Sequence, residues 1–159
     1  MRMNRILKSL LFIASLFATT MSNAQVQIST DQLDDSRWDV VLRTIRNKKE
    51  IPNRVNTWIF NMSSYSDSTY FSVLDKSSVI QHPYYISDIE PCDYSFDKSK
   101  VGVNAKGKYI VFYNEKCDEV DYYTVMSFTD DKMVLFRKAK KDQVPNLDVY
   151  ITFKRVNDK

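Results

Sequence analysis

The chain is poor in the residue types on which catalysis and metal binding depend. Its 159 residues include one histidine, two cysteines and two glycines. The single histidine, His82, precedes Pro83 where a turn is expected, and it offers no second imidazole for a metal site. The sequence also lacks a glycine-rich phosphate loop and the serine, histidine and aspartate spacing of a catalytic triad. We therefore expect neither an enzyme nor a metal or other cofactor.

Two pairs of adjacent acidic residues do not change this expectation. Asp34-Asp35 and Asp130-Asp131 could in principle do general acid and base chemistry. Both pairs fall where the chain is expected to turn, and aspartate is common in turns because its side chain hydrogen-bonds to the local backbone. We interpret them as turn residues.

The N-terminus has the pattern of a secretory signal. Arg2, Arg5 and Lys8 come before or within the start of a short apolar stretch, and small residues lead to Ala24. This order of a positive end, an apolar centre and a small-residue exit predicts a signal peptide at residues 1–24. A membrane anchor is the alternative, but the apolar stretch is shorter than the roughly 18–20 residues of a spanning helix. We expect an exported protein, periplasmic or extracellular, with no membrane span in the mature chain.

The mature chain, residues 25–159, carries no excess charge. The full sequence has 23 Lys and Arg against 20 Asp and Glu, and the first 24 residues hold three of the cations and none of the acids. The remainder is therefore balanced at 20 against 20. Nucleic-acid binding needs clustered positive charge, so none is expected. The length of the mature chain predicts a single domain.

Composition and turn spacing predict an all-β fold. Tyr, Phe, Val, Ile and Thr are plentiful, and these residues suit strands. Apolar runs alternate with polar turns at the spacing of an antiparallel sandwich or barrel. Candidate strands span residues 36–45, 55–62, 69–75, 78–81, 84–89, 100–104, 108–114, 121–128, 132–138 and 148–156.

Residues 31–46 fit two structures. Four apolar residues have the i, i+3, i+4, i+7 period of a helix: Trp38, Val41, Leu42 and Ile45. Trp38, Val40 and Leu42 also alternate as in a strand. We favour the strand, with one helical turn before it as an option.

The order of features resembles the secreted bacterial lipocalin-like, or calycin, family. The segment "SRWDVV" matches that family's first strand with its Trp, and "ITFKRV" matches a last strand that carries an Arg. Between them, "YYISD", "FDKSKVG", "KGKYIVFY" and "YTVMSFTDDKMVLFRK" resemble the strands of small bacterial members. One departure is Ser36, where the family commonly has glycine two residues before the Trp. The resemblance implies an up-and-down antiparallel β-barrel of roughly eight to ten strands, and another antiparallel sandwich is the rival fold.

Barrel closure implies a specific contact. The last strand of a closed sheet must pair with the first, so Arg155 is expected to pack over the ring of Trp38 at the closed end of the barrel. Lys154 would then face solvent. In the alternative interpretation, both cations merely solvate the end of the chain.

The two cysteines, Cys92 and Cys117, are both in the mature chain. An even pair in an exported protein is first interpreted as a disulfide. It would close a loop of about 25 residues and stabilise the fold by roughly 3–3.5 kcal/mol.

Two functional hypotheses remain from the sequence. The first is a carrier that binds a small apolar or amphipathic molecule in the barrel, since roughly eight strands can enclose one small ligand. The second is a non-enzymatic envelope or surface interaction module whose barrel is filled by side chains, with an unidentified protein partner. The pocket-lining candidates for the first hypothesis are Trp58, Phe60, Phe71, Val73, Ile110 and Phe112.

Overall fold

The structure is a computed structural model that describes residues 26–92, 95–140 and 147–157. The predicted signal peptide lies outside these residues. Strands dominate, as the aromatic and β-branched composition predicts. In chain order the elements are β1 (Ile28–Ser29), α1 (Thr30–Leu33), β2 (Ser36–Ile45), β3 (Lys48–Glu50), β4 (Val55–Phe60), β5 (Ser64–Phe71), β6 (Lys76–Ser87), a 3-10 turn (Lys98–Lys100), β7 (Lys106–Gly107), β8 (Tyr109–Asn114), β9 (Glu119–Phe128), β10 (Lys132–Arg137) and β11 (Val149–Arg155).

Eight strands form a closed antiparallel barrel. Around the wall they follow in the order β2, β4, β5, β6, β8, β9, β10 and β11, and β11 pairs with β2 to complete the ring. The all-β, up-and-down barrel expected from the sequence is therefore confirmed. β3 adds a short strand beside the far end of β2, and β1 and β7 form a separate two-stranded sheet.

The segment with an ambiguous period is the strand β2, preceded by the single helical turn α1, so the favoured interpretation is confirmed. β2 is not regular along its whole length. The pairing of β2 with β11 skips Val41, which makes a β-bulge. Trp38 and Val40 face the interior before the bulge, whereas Arg43 and Ile45 face it afterwards. The bulge shifts the side-chain alternation by one residue, so the helix-like set of the sequence does not share one face: Val41, for example, is 40% exposed.

β6 is a 12-residue strand that continues through Pro83, where the sequence had predicted two separate strands. The half from Lys76 to Pro83 pairs with β5 alone, and its pairing with β8 begins only at Tyr84, opposite Phe112. Proline is tolerated on a strand edge that has no second neighbour. The first half of β6 and the end of β8 are therefore not paired with each other, which leaves a gap in the barrel wall.

Aromatic side chains fill the centre of the barrel around Trp58. Its ring centroid lies between 4.8 and 6.4 Å from the rings of its neighbours, in tilted or edge-on arrangements. These neighbours are Phe60, Tyr65, Phe112, Tyr123 and Phe153. We call Trp58 and these five residues the aromatic plug. At this level the described side chains pack ring against ring across the barrel.

The barrel end at which β2 begins is closed by the β1–α1 segment. Ile28 and Leu33 are fully buried there. The Thr30 hydroxyl donates hydrogen bonds to the carbonyl oxygens of Val103, at 3.2 Å, and Ala105, at 3.3 Å. These contacts hold the segment across the bottom of the barrel, which we call the closed end.

Ser36, at the position where the resemblance leads one to expect glycine, has a clear role at this closed end. Its side chain is buried, and its hydroxyl donates to the carbonyl oxygen of Leu33. The same hydroxyl accepts a hydrogen bond from Trp38 Nε1 at 2.8 Å. Ser36 therefore ties α1 to the ring of Trp38, a bond that glycine could not make.

Candidate functional site

Above the aromatic plug the interior changes from apolar to polar. Towards the open end, where the β5–β6 and β8–β9 turns lie, the inward positions carry hydrogen-bonding and charged side chains. These residues are Arg43, Asn56, Asp67, Thr69, Asp121 and Arg137. Each one either is buried or is the register partner of a residue on the inward face. A ligand that enters from this end would meet polar groups first and the aromatic plug only beneath them.

A cavity of about 660 Å³ lies at the open end, on the side of β2 to β5, and we call it the mouth cavity. Its floor comes from inward residues of β2, β4 and β5, and its rim comes from the chain between β3 and β4. The lining residues are Arg43, Glu50, Ile51, Pro52, Asn53, Arg54, Asn56, Thr69 and Phe71. Its volume lies within the range of about 300–1,000 Å³ that is usual for ligand pockets.

A hydrogen-bond network organises the floor. Asn56 is buried, and its Nδ2 donates to Thr69 Oγ1 at 2.9 Å and to Asp67 Oδ1 at 2.5 Å. Its Oδ1 accepts a long bond of 3.5 Å from Nη2 of Arg43. Both ends of the amide are therefore engaged, which fixes Asn56 and orients the guanidinium beside it.

Arg43 is the cation of this floor, and Asn56 links it to the Asp67 carboxylate. Its Nε is buried without a hydrogen-bond partner, and within the described residues the guanidinium makes no ion pair. A partly buried cation without a counter-ion is costly. An anionic or strongly accepting ligand group would relieve that cost, since guanidinium to oxyanion bonds are among the stronger hydrogen bonds in proteins.

The rim combines apolar and cationic surface. The Arg54 guanidinium carbon lies 4.5 Å from the centroid of the Phe71 ring, a cation–π arrangement. Ile51 stands beside them with most of its side chain exposed. The rim can therefore contact a hydrocarbon or ring while the floor contacts a polar head.

A second, smaller cavity of about 120 Å³ lies where the wall is parted between β6 and β8. It is lined by Tyr65, His82, Phe112, Asn114, Glu119, Asp121 and Tyr123. His82 stacks on the Tyr65 ring with centroids 5.6 Å apart, and it lies within β6 rather than in the turn expected from the sequence. The cavity is small for an ordinary ligand.

Ion pairs occupy the acidic wall of this smaller cavity. Asp121 lies 3.2 Å from Nη1 of Arg137 and 3.6 Å from Nζ of Lys140. Lys140 also contacts Glu119 at 3.5 Å and donates to the carbonyl oxygen of Val120. Burial raises the pKa of the Asp121 carboxyl above its ordinary value, although Arg137 and Lys140 act in the opposite direction. Both carboxylates are thus already ion-paired with the protein's own cations.

Five of the six pocket candidates named from the sequence fall in three places. Phe71 lines the mouth cavity and Phe112 lines the smaller one. Trp58, Phe60 and Ile110 are buried in the core beneath them.

Val73 does not line a pocket. It is 96% exposed, because β5 ends at Phe71 and Val73 belongs to the turn that follows. The prediction for this residue is wrong.

Sequence reasoning missed the polar members of the site. Asn56 shares the inward face of β4 with Trp58 and Phe60, so strict alternation along that strand was the signal that could have found it. Arg43 gave no such signal, because the bulge at Val41 reverses the alternation before it.

Trp38 and Arg155 are brought together at the closed end. Their Cα atoms are partners in the β2–β11 pairing, and the guanidinium carbon lies 5.5 Å from the centroid of the Trp38 ring. Phe128 packs on the same ring system at 5.6 Å. The first and last strands of the barrel are therefore joined by this pair.

The expected disulfide is not present: Cys92 and Cys117 are both unbonded and exposed. Glu90, close to Cys92 in the chain, is bonded to the hydroxyl of Tyr122, whereas Cys117 lies in the turn before β9 begins at Glu119. About 10 Å of strand separates Tyr122 from the start of β9. Disulfide geometry requires Cα atoms within about 7 Å, so pairing would need the chain to move.

Neither a metal cluster nor a spanning helix is found in the part of the chain that the structure describes. No three His, Cys, Asp or Glu side chains within those residues are placed to hold a metal ion. No helix within them is both long and apolar enough to cross a bilayer.

The comparisons with known proteins bear on the fold. The chain matches no family model and no curated protein. It is similar in structure to a lipocalin-like protein from Bacteroides uniformis ATCC 8492, whose crystal structure superposes with a TM-score of 0.50 at 9% sequence identity. The similarity covers 77% of this chain and 97% of the other. A likeness at this identity speaks for the fold alone, and the fold of this chain is the lipocalin-like barrel.

Proposed function

We propose that this protein is an exported, non-enzymatic carrier that binds a small amphipathic molecule at the mouth of its barrel. The observation that carries the proposal is the mouth cavity of about 660 Å³, whose floor holds the Arg43 guanidinium with its Nε lacking a hydrogen-bond partner among the described residues. The lipocalin-like barrel supports small-ligand binding in a general way. Export rests on the signal-like sequence of residues 1–24.

The position of the aromatic plug sets the depth of binding. The rings around Trp58 are in contact with one another and leave the centre of the barrel filled. A ligand is therefore held in the outer half, with its apolar body against Phe71 and Ile51 and its polar end on Arg43.

The floor chemistry sets the class of ligand. A purely apolar molecule would cover Arg43 without supplying a partner, and burying an unpaired polar group is unfavourable. A carboxylate or phosphate joined to an apolar body satisfies both the guanidinium and the apolar rim. We therefore favour an amphipathic anion over the wholly apolar ligand that the sequence also allowed.

A titration of residues 25–159 tests this proposal. Decanoate, decanol and decyltrimethylammonium share one chain and differ in head-group charge. Trp58, two residues along β4 from Asn56, is the fluorescent reporter beneath the site. We expect decanoate to bind with a dissociation constant below about 100 μM, which is roughly −5.5 kcal/mol, ahead of decanol and then of the ammonium.

Arg43→Gln is the matched perturbation, and Lys154→Gln, on the outer face near the closed end, is its control. Loss of the bond from guanidinium to carboxylate should weaken decanoate at least about tenfold and decanol much less. Lys154→Gln should change neither. Absence of binding by all three compounds, or equal losses in the two variants, would contradict the proposal.

The second candidate is the interaction module with a filled barrel. Two observations favour it: the rings of the aromatic plug pack against one another across the barrel, and the β5–β6 hairpin exposes Val73, Leu74 and Val79 to solvent. If no amphiphile binds, this interpretation replaces the carrier.

A further inference from the structure

The open end of the barrel exposes large apolar side chains on two neighbouring loops. In the β5–β6 turn Val73 is 96% and Leu74 is 65% exposed, and in the chain between β3 and β4 Ile51 is 82% exposed. The two loops meet at Phe71, whose ring lies under Arg54 and lines the mouth cavity together with Ile51. These apolar tips therefore stand side by side at one edge of the mouth.

The turn that carries Val73 and Leu74 is held in shape by its own bonds. The Leu74 N–H donates to the Phe71 carbonyl at 3.0 Å, and the Tyr70 hydroxyl bonds to Asp75 at 2.8 Å. The β4–β5 pairing starts opposite Tyr70, so the hairpin extends past the beginning of β4. The two apolar side chains are thus presented beyond the barrel wall rather than folded back on it.

Positive charge surrounds these tips. From residue 46 to 54 the chain carries four exposed cations and one exposed carboxylate: Arg46, Lys48, Lys49, Arg54 and Glu50. Across the mouth, the β8–β9 turn carries Glu115, Lys116 and Asp118, an excess of one negative charge. The cations and the apolar tips are therefore on the same edge, and the opposite edge differs in sign.

We propose that this edge of the open end, residues 46–54 with residues 72–76, docks on an anionic lipid surface. Cations near a bilayer are attracted to anionic head groups, and neighbouring apolar side chains insert at the boundary with the acyl chains. A protein partner fits less well, because specific interfaces need a broad complementary patch, whereas these apolar side chains stand singly on two projecting turns. Docking of this kind would place the mouth cavity against the lipid, and it does not depend on the carrier function.

Vesicle sedimentation with residues 25–159 tests the proposal. Sucrose-loaded vesicles of phosphatidylcholine, with and without phosphatidylglycerol, are the probes. We expect binding to the mixed vesicles at least about tenfold above binding to phosphatidylcholine alone. Added salt should weaken it, because screening acts on exposed charges.

Matched variants separate the apolar and the charged contributions. Val73→Ser with Leu74→Ser removes the apolar side chains without changing the charge, and its control is Ile89→Ser, which changes a side chain that is 79% exposed in the segment after β6. Lys48→Glu with Lys49→Glu reverses the charge, and Lys132→Glu, near the closed end, is its control. Each open-end pair should lower vesicle binding at least about tenfold, with the controls near wild type and all variants folded by circular dichroism.

Three results would overturn the proposal. They are equal binding to both kinds of vesicle, unchanged binding by the Val73 and Leu74 variant, or the same loss in Ile89→Ser. Concentration-dependent dimerisation that the Val73 and Leu74 variant abolishes, without vesicle binding, would assign these tips to a second copy instead. Decanoate titration of the same variants keeps the two proposals apart, because docking variants should still bind decanoate.

Discussion

Replacing Trp38 with leucine and Arg155 with methionine, singly and together, measures the interaction that joins the first and last strands of the barrel. Leucine keeps an apolar side chain but removes the ring face, and methionine keeps a long stem but removes the charge. Trp38→Ala would be less informative. A large buried aromatic costs about 3–5 kcal/mol on truncation to alanine, which is a large share of the 5–15 kcal/mol stability usual for a domain.

The structure sets the size of the coupling. Arg155 lies 5.5 Å from the ring centroid of Trp38, which is fully buried, while Arg155 itself is partly exposed. Cation–π pairs contribute about 0.5–1 kcal/mol at exposed sites and about 2 kcal/mol when desolvated. We therefore expect a coupling free energy of about 1 kcal/mol between the two substitutions.

Urea unfolding, followed by the fluorescence of the remaining Trp58, provides the four free energies of the cycle. The slope of unfolding free energy with urea should stay constant across the set, so that the midpoints report stability. A parallel cycle with Lys154→Met in place of Arg155→Met is the control, and its coupling should fall within about 0.3–0.5 kcal/mol of zero. Equal couplings in the two cycles would refute the assignment of this pair to barrel closure.

Three further predictions concern other parts of the fold. Burial raises the pKa of the Asp121 carboxyl, so the folded state binds this proton more tightly than the unfolded state does. The contribution of Asp121 to the free energy of unfolding therefore falls as the pH rises from about 4 through the raised pKa. Asp121→Asn should lose less unfolding free energy than the wild type between pH 4 and pH 7, and an identical loss would contradict this prediction. Unreduced mature protein should react with two equivalents of a thiol reagent at Cys92 and Cys117, and a count of zero would restore the disulfide. A Cβ at Gly107 would lie 2.2 Å from a backbone oxygen, so Gly107→Ala should destabilise the fold by about 1–3 kcal/mol or more. Gly102 has a φ of +74°, so Gly102→Ala should cost about 1–2 kcal/mol. Thermal unfolding that shows Gly102→Ala to be the more destabilised of the two variants would contradict this packing.

The all-β class could be predicted because strand alternation and turn spacing are local, repetitive signals, whereas the choice of a barrel over a sandwich came from the resemblance to the lipocalin-like family. Trp38 and Arg155 lie on the predicted first and last strands, so their meeting followed from the barrel closure that the resemblance implied. Pro83 misled the strand assignment in a specific way. Proline usually ends a strand, and it is allowed here because one edge of β6 has no neighbouring strand at Pro83. That condition depends on the tertiary structure, so the local sequence does not show it.

The site could be predicted less well because it depends on irregular features. The bulge at Val41 turns Arg43 inward, and no local pattern in the sequence marks a bulge made without glycine. The aromatic candidates were chosen for their size, yet size also suits a core, and Trp58 and its neighbours form one. The cysteine pair illustrates the same difficulty, since the number of cysteines carries no information on their separation in the fold.

Mapping of the bound ligand onto the chain tests the central claim most directly. Backbone amide shifts of isotope-labelled mature protein, recorded while decanoate is added, report which residues the ligand approaches. The account predicts that the largest changes cluster at Arg43, Arg54, Asn56, Thr69 and Phe71, with little change around Trp38 at the closed end. Saturable changes centred elsewhere, or none at all, would contradict a binding site at the mouth of the barrel.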